Sequence, residues 1–422
     1  MDTYPGVMIL LDGLGDRPST VLDGKTPLEA AHTPNMDRLA ASGQCGLISP
    51  FAAWVPVETQ TGTGLLMGLA RKDIKKMTRG PVEAAGVGLV LQAGDVALRC
   101  NFATLRPNGT GFDILDRRAG RITENTEALC DALDGLDLDD GITARVRSAT
   151  EHRAVLALSG TDLSDAITNT DPGAGRESEG VQRCLVRASD IPEAARTAAA
   201  VNAFVRESYQ RLNDHPVNRD RSARGLPPAN GIITRGAGSV APLRNLIAHL
   251  GLRAAVITGE ATVRGLGHLF GFDVTHHAQF TGQHHTNLDA KVAAVQAALD
   301  DHDLAFLHIK GTDTRSHDLD PVGKKDLIEQ IDEAIALLLV PNRVIAVTGD
   351  HSTDSTLGIH TGDPVPALLS APHTRTDAAH SFSETACLNG GLGYLSATSF
   401  LCALLDHMNQ MHNYRPHEHF FF

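Results

Sequence analysis

Short apolar runs bounded by polar or turn residues recur along the chain. They are Val7–Leu11, Val96–Leu98, Ala154–Leu158, Gly231–Ile233, Ala254–Ile257, Leu304–Ile309 and Val344–Val347. Each is too short for a helix and continuous rather than alternating, the pattern of strands buried on both faces. Between many of them lie segments with helical spacing of apolar residues, among them Ile191–Leu212, Lys291–Leu299 and Lys325–Leu339. Strands alternating with helices predict an α/β fold with a mostly parallel sheet. From about Arg79 to Val186 the strands shorten and the joins become turn-rich, as in "RPNGTGFD" and "LDGLDLDDG". That stretch, 79–186, is expected to be an inserted α+β unit, with the core built from 1–78 and 187–422. The Pro-rich, polar Asn213–Gly231 is expected to be a connector, and the tail "HNYRPHEHFFF" a C-terminal arm.

Length and composition narrow the class. A chain of 422 residues suits two domains, or one large domain with an insertion, and 42% hydrophobic content supports a buried interior. The formal net charge of −13 argues against a nucleic-acid partner, because phosphate backbones select basic surfaces. Anionic substrates would instead need local cations or metals. The six cysteines are scattered, with no C-x-x-C pair, so neither a zinc ribbon nor a disulfide scaffold is expected. The first residues lack a basic start and a long apolar core, and no stretch approaches the roughly 18 apolar residues of a membrane span. A reducing, cytoplasmic setting without a membrane partner is the expectation.

Candidate chemistry sits just past three strands. Val7–Leu11 is followed by Asp12 and Gly13. Leu304–Ile309 leads through Lys310 to Asp313 and His317, and Val344–Val347 leads to Asp350 and His351, with His360 shortly after. In open α/β sheets, ligands bind outside the carboxyl ends of strands. Asp313 and His317 are four apart, so one helical turn would aim both at one point. Carboxylate plus imidazole suits Mn²⁺, Zn²⁺ or similar ions, and three Asp with three His would fill two sites. Each residue alone equally suits a turn or a helix cap. The repeated strand-then-ligand pattern carries the weight. The stretch "VPVETQTGTGLLMGLA" (Val55–Ala70) adds a crowd of threonines ahead of an apolar run, without a Walker-type ending.

Several stretches together resemble the archaeal-type cofactor-independent phosphoglycerate mutases of the alkaline phosphatase superfamily. They include "LLDGLGDRP" (Leu10–Pro18), "TPLEAAHTPNMDRLAASG" (Thr26–Gly43), "GPVEAAGVGL" (Gly80–Leu89), "RCNFAT" (Arg99–Thr104), "DRRAGRI" (Asp116–Ile122), "LSDAITNTDP" (Leu163–Pro172), "GDHST" (Gly349–Thr353) and "HTGDPVP" (His360–Pro366). The resemblance covers nearly the whole chain. It implies an alkaline-phosphatase-like three-layer core and makes the insert a substrate-binding cap that would act as a lid. It also implies two divalent ions, Mn²⁺ or Zn²⁺ with Mg²⁺ as a further option. One would be held by Asp12, Asp350, His351 and the nucleophile, the other by Asp313, His317 and His360.

Family members pass a phosphoryl group to an active-site Ser and on to another substrate hydroxyl. Counting back from "LLMGL" places that Ser at Thr59. Lys310 matches a family Lys near the phosphate. Arg99, Asn101, Arg117, Arg118, Arg121, His152, Arg153 and Asp171 lie in family-like motifs as candidates for holding a small phosphorylated carboxylate, although Arg117, Arg118 and Arg121 could instead pair with Asp116 or Asp113. The chain departs from the pattern near the chemistry. The family's "GSD" is Glu58-Thr59-Gln60, a usual His is Thr63, a usual Lys falls at Gly358, and "GATG" is replaced within "FTGQHHTN" (Phe280–Asn287). The expected activity is therefore a mutase acting through phospho-Thr59. Alternatives are a relative using a nucleotide-activated donor and an inactive metal-binding paralogue. A homo-oligomer remains open.

Overall fold

The computed structural model describes residues 3–109, 111–138, 141–187, 191–412 and 414–415. Parts of the two turn-rich joins (110 and 139–140) and most of the tail (413 and 416–422) lie outside the described residues. The chain forms two compact units. One comprises the residues up to Ile74 together with those from Leu243 on, and the other is Lys75–Pro242.

The first unit is built on an eight-stranded sheet. Its order is Asp273–Thr275, Ala254–Ile257, Leu304–Ile309, Gly6–Leu11, Val344–Thr348, Val365–Ser370, Gln44–Ser49 and Gly393–Ser396. Val365–Ser370 alone runs antiparallel to its neighbours. Every residue of Gly6–Leu11, Leu304–Ile309 and Val344–Thr348 is buried, so both faces of the sheet centre are covered. Continuous apolar strands are what such a layered α/β core requires. In register, Leu11 pairs with Ile309 and Leu10 with Thr348. The carboxyl ends of three adjacent parallel strands therefore finish side by side, and the residues after them start from one place.

The second unit carries an antiparallel sheet ordered Phe112–Asp116, Val96–Pro107, Arg153–Ser159, Thr143–Ser148 and Leu136–Asp137, with Gly231–Ser239 also pairing to Val96–Pro107. This moves a boundary expected from the sequence. The segment 187–242, assigned there to the core, belongs with the insert for two reasons. Gly231–Ser239 hydrogen-bonds along Val96–Ala103, and the helix Pro192–Leu212 lays Ala194, Ala198, Val201 and Phe204 into the same core as Leu98, Phe102 and Leu156. The expected connector contains the short helix Pro216–Ala223.

Both crossings into the insert are tied down inside the first unit. The buried Asp73 carboxylate accepts from Arg244 Nε at 2.8 Å and Nη2 at 2.9 Å, and Ala70 N–H donates to the Arg244 carbonyl at 2.9 Å. Among the described residues, no helix is long and apolar enough to cross a membrane.

Candidate functional site

Asp12 follows the strand Gly6–Leu11 directly and is fully buried. Its Oδ2 lies 2.9 Å from His308 Nε2, and its Oδ1 lies 2.9 Å from Lys310 Nζ and 3.2 Å from His351 Nε2. Gly13 turns the chain away at φ +65, and no larger residue would fit: a methyl group there would stand 2.6 Å from Thr353 Oγ1 and 2.9 Å from Asp313 Oδ1. After Leu304–Ile309, Lys310 leads into the helix Gly311–His317, where Asp313 and His317 share one face. Asp313 Oδ2 is 2.6 Å from Lys310 Nζ and 3.4 Å from His317 Nε2.

The third strand end supplies Asp350 and His351. The hairpin Ser352–Asp354 with Ile359–Thr361 then folds back, pairing Thr353 with His360. That return stacks the His360 ring on His351, with centroids 3.8 Å apart, and brings His360 Nε2 to 3.6 Å from Asp313 Oδ1. The helix Thr59–Leu66 closes the group. Gly62 packs against the Asp350 backbone carbonyl, and Thr63 Oγ1 donates to Asp350 Oδ2 at 2.9 Å. Anchored this way, Thr59 at the head of the helix places Oγ1 3.0 Å from Lys310 Nζ and 3.4 Å from both Asp12 Oδ1 and His351 Nε2.

Among the described residues, two triplets could hold a metal ion: Asp12 with Asp350 and His351, and Asp313 with His351 and His360. His351 belongs to both, whereas the sequence-based expectation gave it only to the first. His317 stands beside the second triplet, its Nε2 3.2 Å from His360 Nε2. Burial would raise the Asp12 carboxyl, but the ammonium of Lys310 and hydrogen bonds from His308 and His351 hold it well below its ordinary value. Asp350 is pushed up, first by burial and then by Asp12. Burial alone would favour a neutral Lys310, but Asp12, Asp313 and Asp350 outweigh it and keep the ammonium charged. Buried carboxylates crowded so closely repel one another, and a carboxylate–imidazole set of this kind fits divalent cations.

Sequence reasoning missed His308, whose ring accepts or donates at Thr258 Oγ1 (3.1 Å) and meets Asp12 on its other nitrogen. Its signal was a lone titratable residue inside the apolar run "LAFLHI". Buried Lys324 was missed as well. Its Nζ donates to the Gly13 carbonyl at 2.7 Å and to Asp16 Oδ2 at 2.8 Å, bracing the turn after Asp12.

In the second unit Arg99, Asn101 and Arg153 lie on one sheet, and the other candidates lie in turns and loops. Asn101 pairs with Arg153 and Arg99 with Arg235 across strands, so these four share a face. Arg99 Nη1 lies 3.2 Å from Glu83 Oε1, and Arg79 Nε donates to the same oxygen at 2.9 Å. Arg99 Nε, Arg153 Nε, Arg235 Nε, Asn101 Oδ1 and His152 Nδ1 are buried with no hydrogen-bond partner among the described residues. Three unsatisfied guanidinium N–H donors in one place suit an anion. Arg79, Glu83 and Arg235 were not anticipated from the sequence.

The arginines of "DRRAGRI" divide. Arg117 forms a bidentate pair with Asp171, both bonds 2.6 Å, and so does not pair with Asp116 or Asp113. Asp116 accepts backbone N–H groups from Arg118 and Gly120, while Asp113 takes Arg106. The guanidinium groups of Arg118 and Arg121 have no described carboxylate partner and, with Arg153 and Arg99, bear electrostatically on His152.

Burial, and then those four arginines, push His152 down to about 4. In a histidine-labelled NMR titration, the His152 ring is expected to stay neutral from pH 8 to about 5. Because the unfolded imidazole titrates near 6.5, the unfolded chain takes up a proton first, so this site removes stability as pH falls from about 6.5 towards 4. A ring that titrates near its ordinary value would contradict the cluster.

Comparison with known proteins agrees with this architecture. Residues 40–218 match the family model described as 2,3-bisphosphoglycerate-independent phosphoglycerate mutase. The chain is 39% identical over 408 residues to the protein of that name from Methanopyrus kandleri, covering 95% of each chain. It is 41% identical to "2,3-bisphosphoglycerate-independent phosphoglycerate mutase 1" from Archaeoglobus fulgidus, covering 96% of this chain and 98% of that one. The PH0037 protein from Pyrococcus horikoshii has a similar fold, with TM-score 0.83 and 32% identity over 98% of this chain and all of that one. A cofactor-independent phosphoglycerate mutase from Thermoplasma acidophilum gives TM-score 0.70 and 33% identity over 96% and 99%. Likeness at this level along the whole length places the chain in the 2,3-bisphosphoglycerate-independent phosphoglycerate mutase family of enzymes.

Proposed function

We propose that this enzyme interconverts 3- and 2-phosphoglycerate through a covalent phosphoryl group on Thr59, in a centre holding two divalent ions. The observation that carries this is the Thr59 hydroxyl, 3.0 Å from Lys310 Nζ and 3.4 Å from Asp12 Oδ1 and His351 Nε2. Asp12, Asp350, His351 and Thr59 would hold one ion, and Asp313, His317 and His360 the other, with Mn²⁺ or Zn²⁺ matching the donors. Ions there would supply Lewis acidity for an attacking hydroxyl and neutralise phosphoryl charge.

The chain's own groups do the rest. Thr59 Oγ1 forms its bond to phosphorus as the ester bond to one glycerate oxygen breaks. The proton lost from Thr59 is matched by the one the freed glycerate hydroxyl takes up, and the return step to the other hydroxyl reverses both. Lys310 offers a fixed positive charge to the phosphoryl oxygens. Arg99, Asn101, Arg118, Arg121, His152 and Arg153 would clamp phosphate and carboxylate, while Asp171 holds Arg117 in place.

Incubating the Mn²⁺-loaded enzyme with 3-phosphoglycerate should give 2-phosphoglycerate by ³¹P NMR, and an unchanged spectrum would refute the mutase reading. Glu58, Thr59 and Gln60 in place of the family's "GSD" favour a second reading, with a nucleotide-activated phosphoryl donor. Adding a nucleoside triphosphate to the same samples separates the two, since only the second reading consumes it.

A further inference from the structure

The two candidate ion sites are joined by a hydroxyl that neither triplet includes. Thr353 is fully buried, and its Oγ1 lies 2.8 Å from Asp313 Oδ1 and 3.0 Å from His351 Nδ1. A threonine hydroxyl carries one proton. The Asp313 carboxylate accepts from Lys310 Nζ at 2.6 Å through Oδ2 and from Thr353 through Oδ1. The hydroxyl proton therefore goes to Asp313, and the remaining lone pairs of Oγ1 must accept from His351. This requires a hydrogen on His351 Nδ1 and leaves Nε2, 3.2 Å from Asp12 Oδ1 and 3.7 Å from Asp350 Oδ2, as the nitrogen that would give up its proton to meet an ion.

The hydroxyl is itself held rigidly. Thr353 N–H donates to the Gly15 carbonyl at 2.8 Å, and Lys324 Nζ donates to the Thr353 carbonyl at 3.2 Å. Gly13, with no side chain, leaves the space that Oγ1 fills.

We propose that Thr353 is a positioning residue for both ion sites: its hydroxyl selects the His351 tautomer that presents Nε2 to the ions and at the same time fixes the Asp313 carboxylate. Outer hydrogen bonds of this type orient metal-binding imidazoles and tune their affinity. The inference rests on the two-ion reading, and its test separates the two. Zn²⁺ titration calorimetry of the wild-type protein checks the ions first, and a wild type that binds none overturns both.

With binding established, Thr353→Val keeps the shape and removes the hydroxyl. It is expected to weaken Zn²⁺ binding roughly 10- to 100-fold, while Thr353→Ser stays within about threefold of wild type. Val binding as tightly as wild type, or Ser failing as badly as Val, would overturn the role. Thermal unfolding of the metal-free variants shows whether Val merely fails to fold. In that event the wild type decides by itself: ¹⁵N-histidine spectra of the Zn²⁺-loaded protein should show His351 protonated at Nδ1 and bound through Nε2. Binding through Nδ1 would rule the proposal out.

Discussion

Thr59→Ala should lower mutase turnover by roughly 10⁴-fold or more, the scale seen when a nucleophile is removed from an assembled centre. The phosphoenzyme should vanish with it. Mass spectrometry after brief exposure to 3-phosphoglycerate should find one added phosphoryl group on the peptide containing Thr59 in the wild type and none in the variant. The helix itself should tolerate the change, because Glu58 is the N-cap and neither it nor Thr59 supplies a side-chain cap bond. Alanine is also the best helix former. Stability should therefore shift by no more than about 0.5 kcal/mol. Thr59→Ser keeps the hydroxyl and should retain most activity. An alanine variant that turns over like wild type would mean that transfer is direct and that Thr59 only begins a helix.

Asp12→Asn should cost nearly as much by a different route. The Asp12 carboxylate meets His308, Lys310 and His351 together. Asparagine keeps the shape but presents an NH₂ group where an oxygen accepted, so a donor would face a donor in a fully buried place. The expected results are loss of one bound ion per chain by elemental analysis, a fall in kcat of about 10³-fold, and a stability loss on the order of 2 kcal/mol. Two ions retained at wild-type affinity would remove Asp12 from the ligand set.

The centre of the fold could be read from the sequence because its strands are apolar on both faces, so Gly6–Leu11, Leu304–Ile309 and Val344–Thr348 declare themselves. Edge strands do not. Gly393–Ser396 is part-exposed along its length, and Asp273–Thr275 spans three residues, too few for any period to show. The helix Pro192–Leu212 was visible, but its allegiance was not, since an apolar stripe does not say which sheet it covers.

The same limit applies to the site. Ligands directly after strands could be found by position alone. The sharing of His351 depends on the hairpin that returns His360, and the Arg117–Asp171 pair joins residues far apart in the chain. Thr59 was placed only by counting along a resemblance, because nothing in "ETQTGTG" distinguishes a nucleophile from a cap.

The interruption of the first unit by the insert also sets the order in which the molecule can be made. Gly6–Leu11 must wait for Leu304–Ile309 and Val344–Thr348, its partners on either side. At roughly 5–20 residues per second, a ribosome needs on the order of 15–60 s to supply them. The insert's strands and its long helix lie within Lys75–Pro242 and emerge complete while that first strand is still unpaired. The central strand of the first unit thus emerges early and stays unpaired through most of synthesis, an apolar segment for a chaperone to cover.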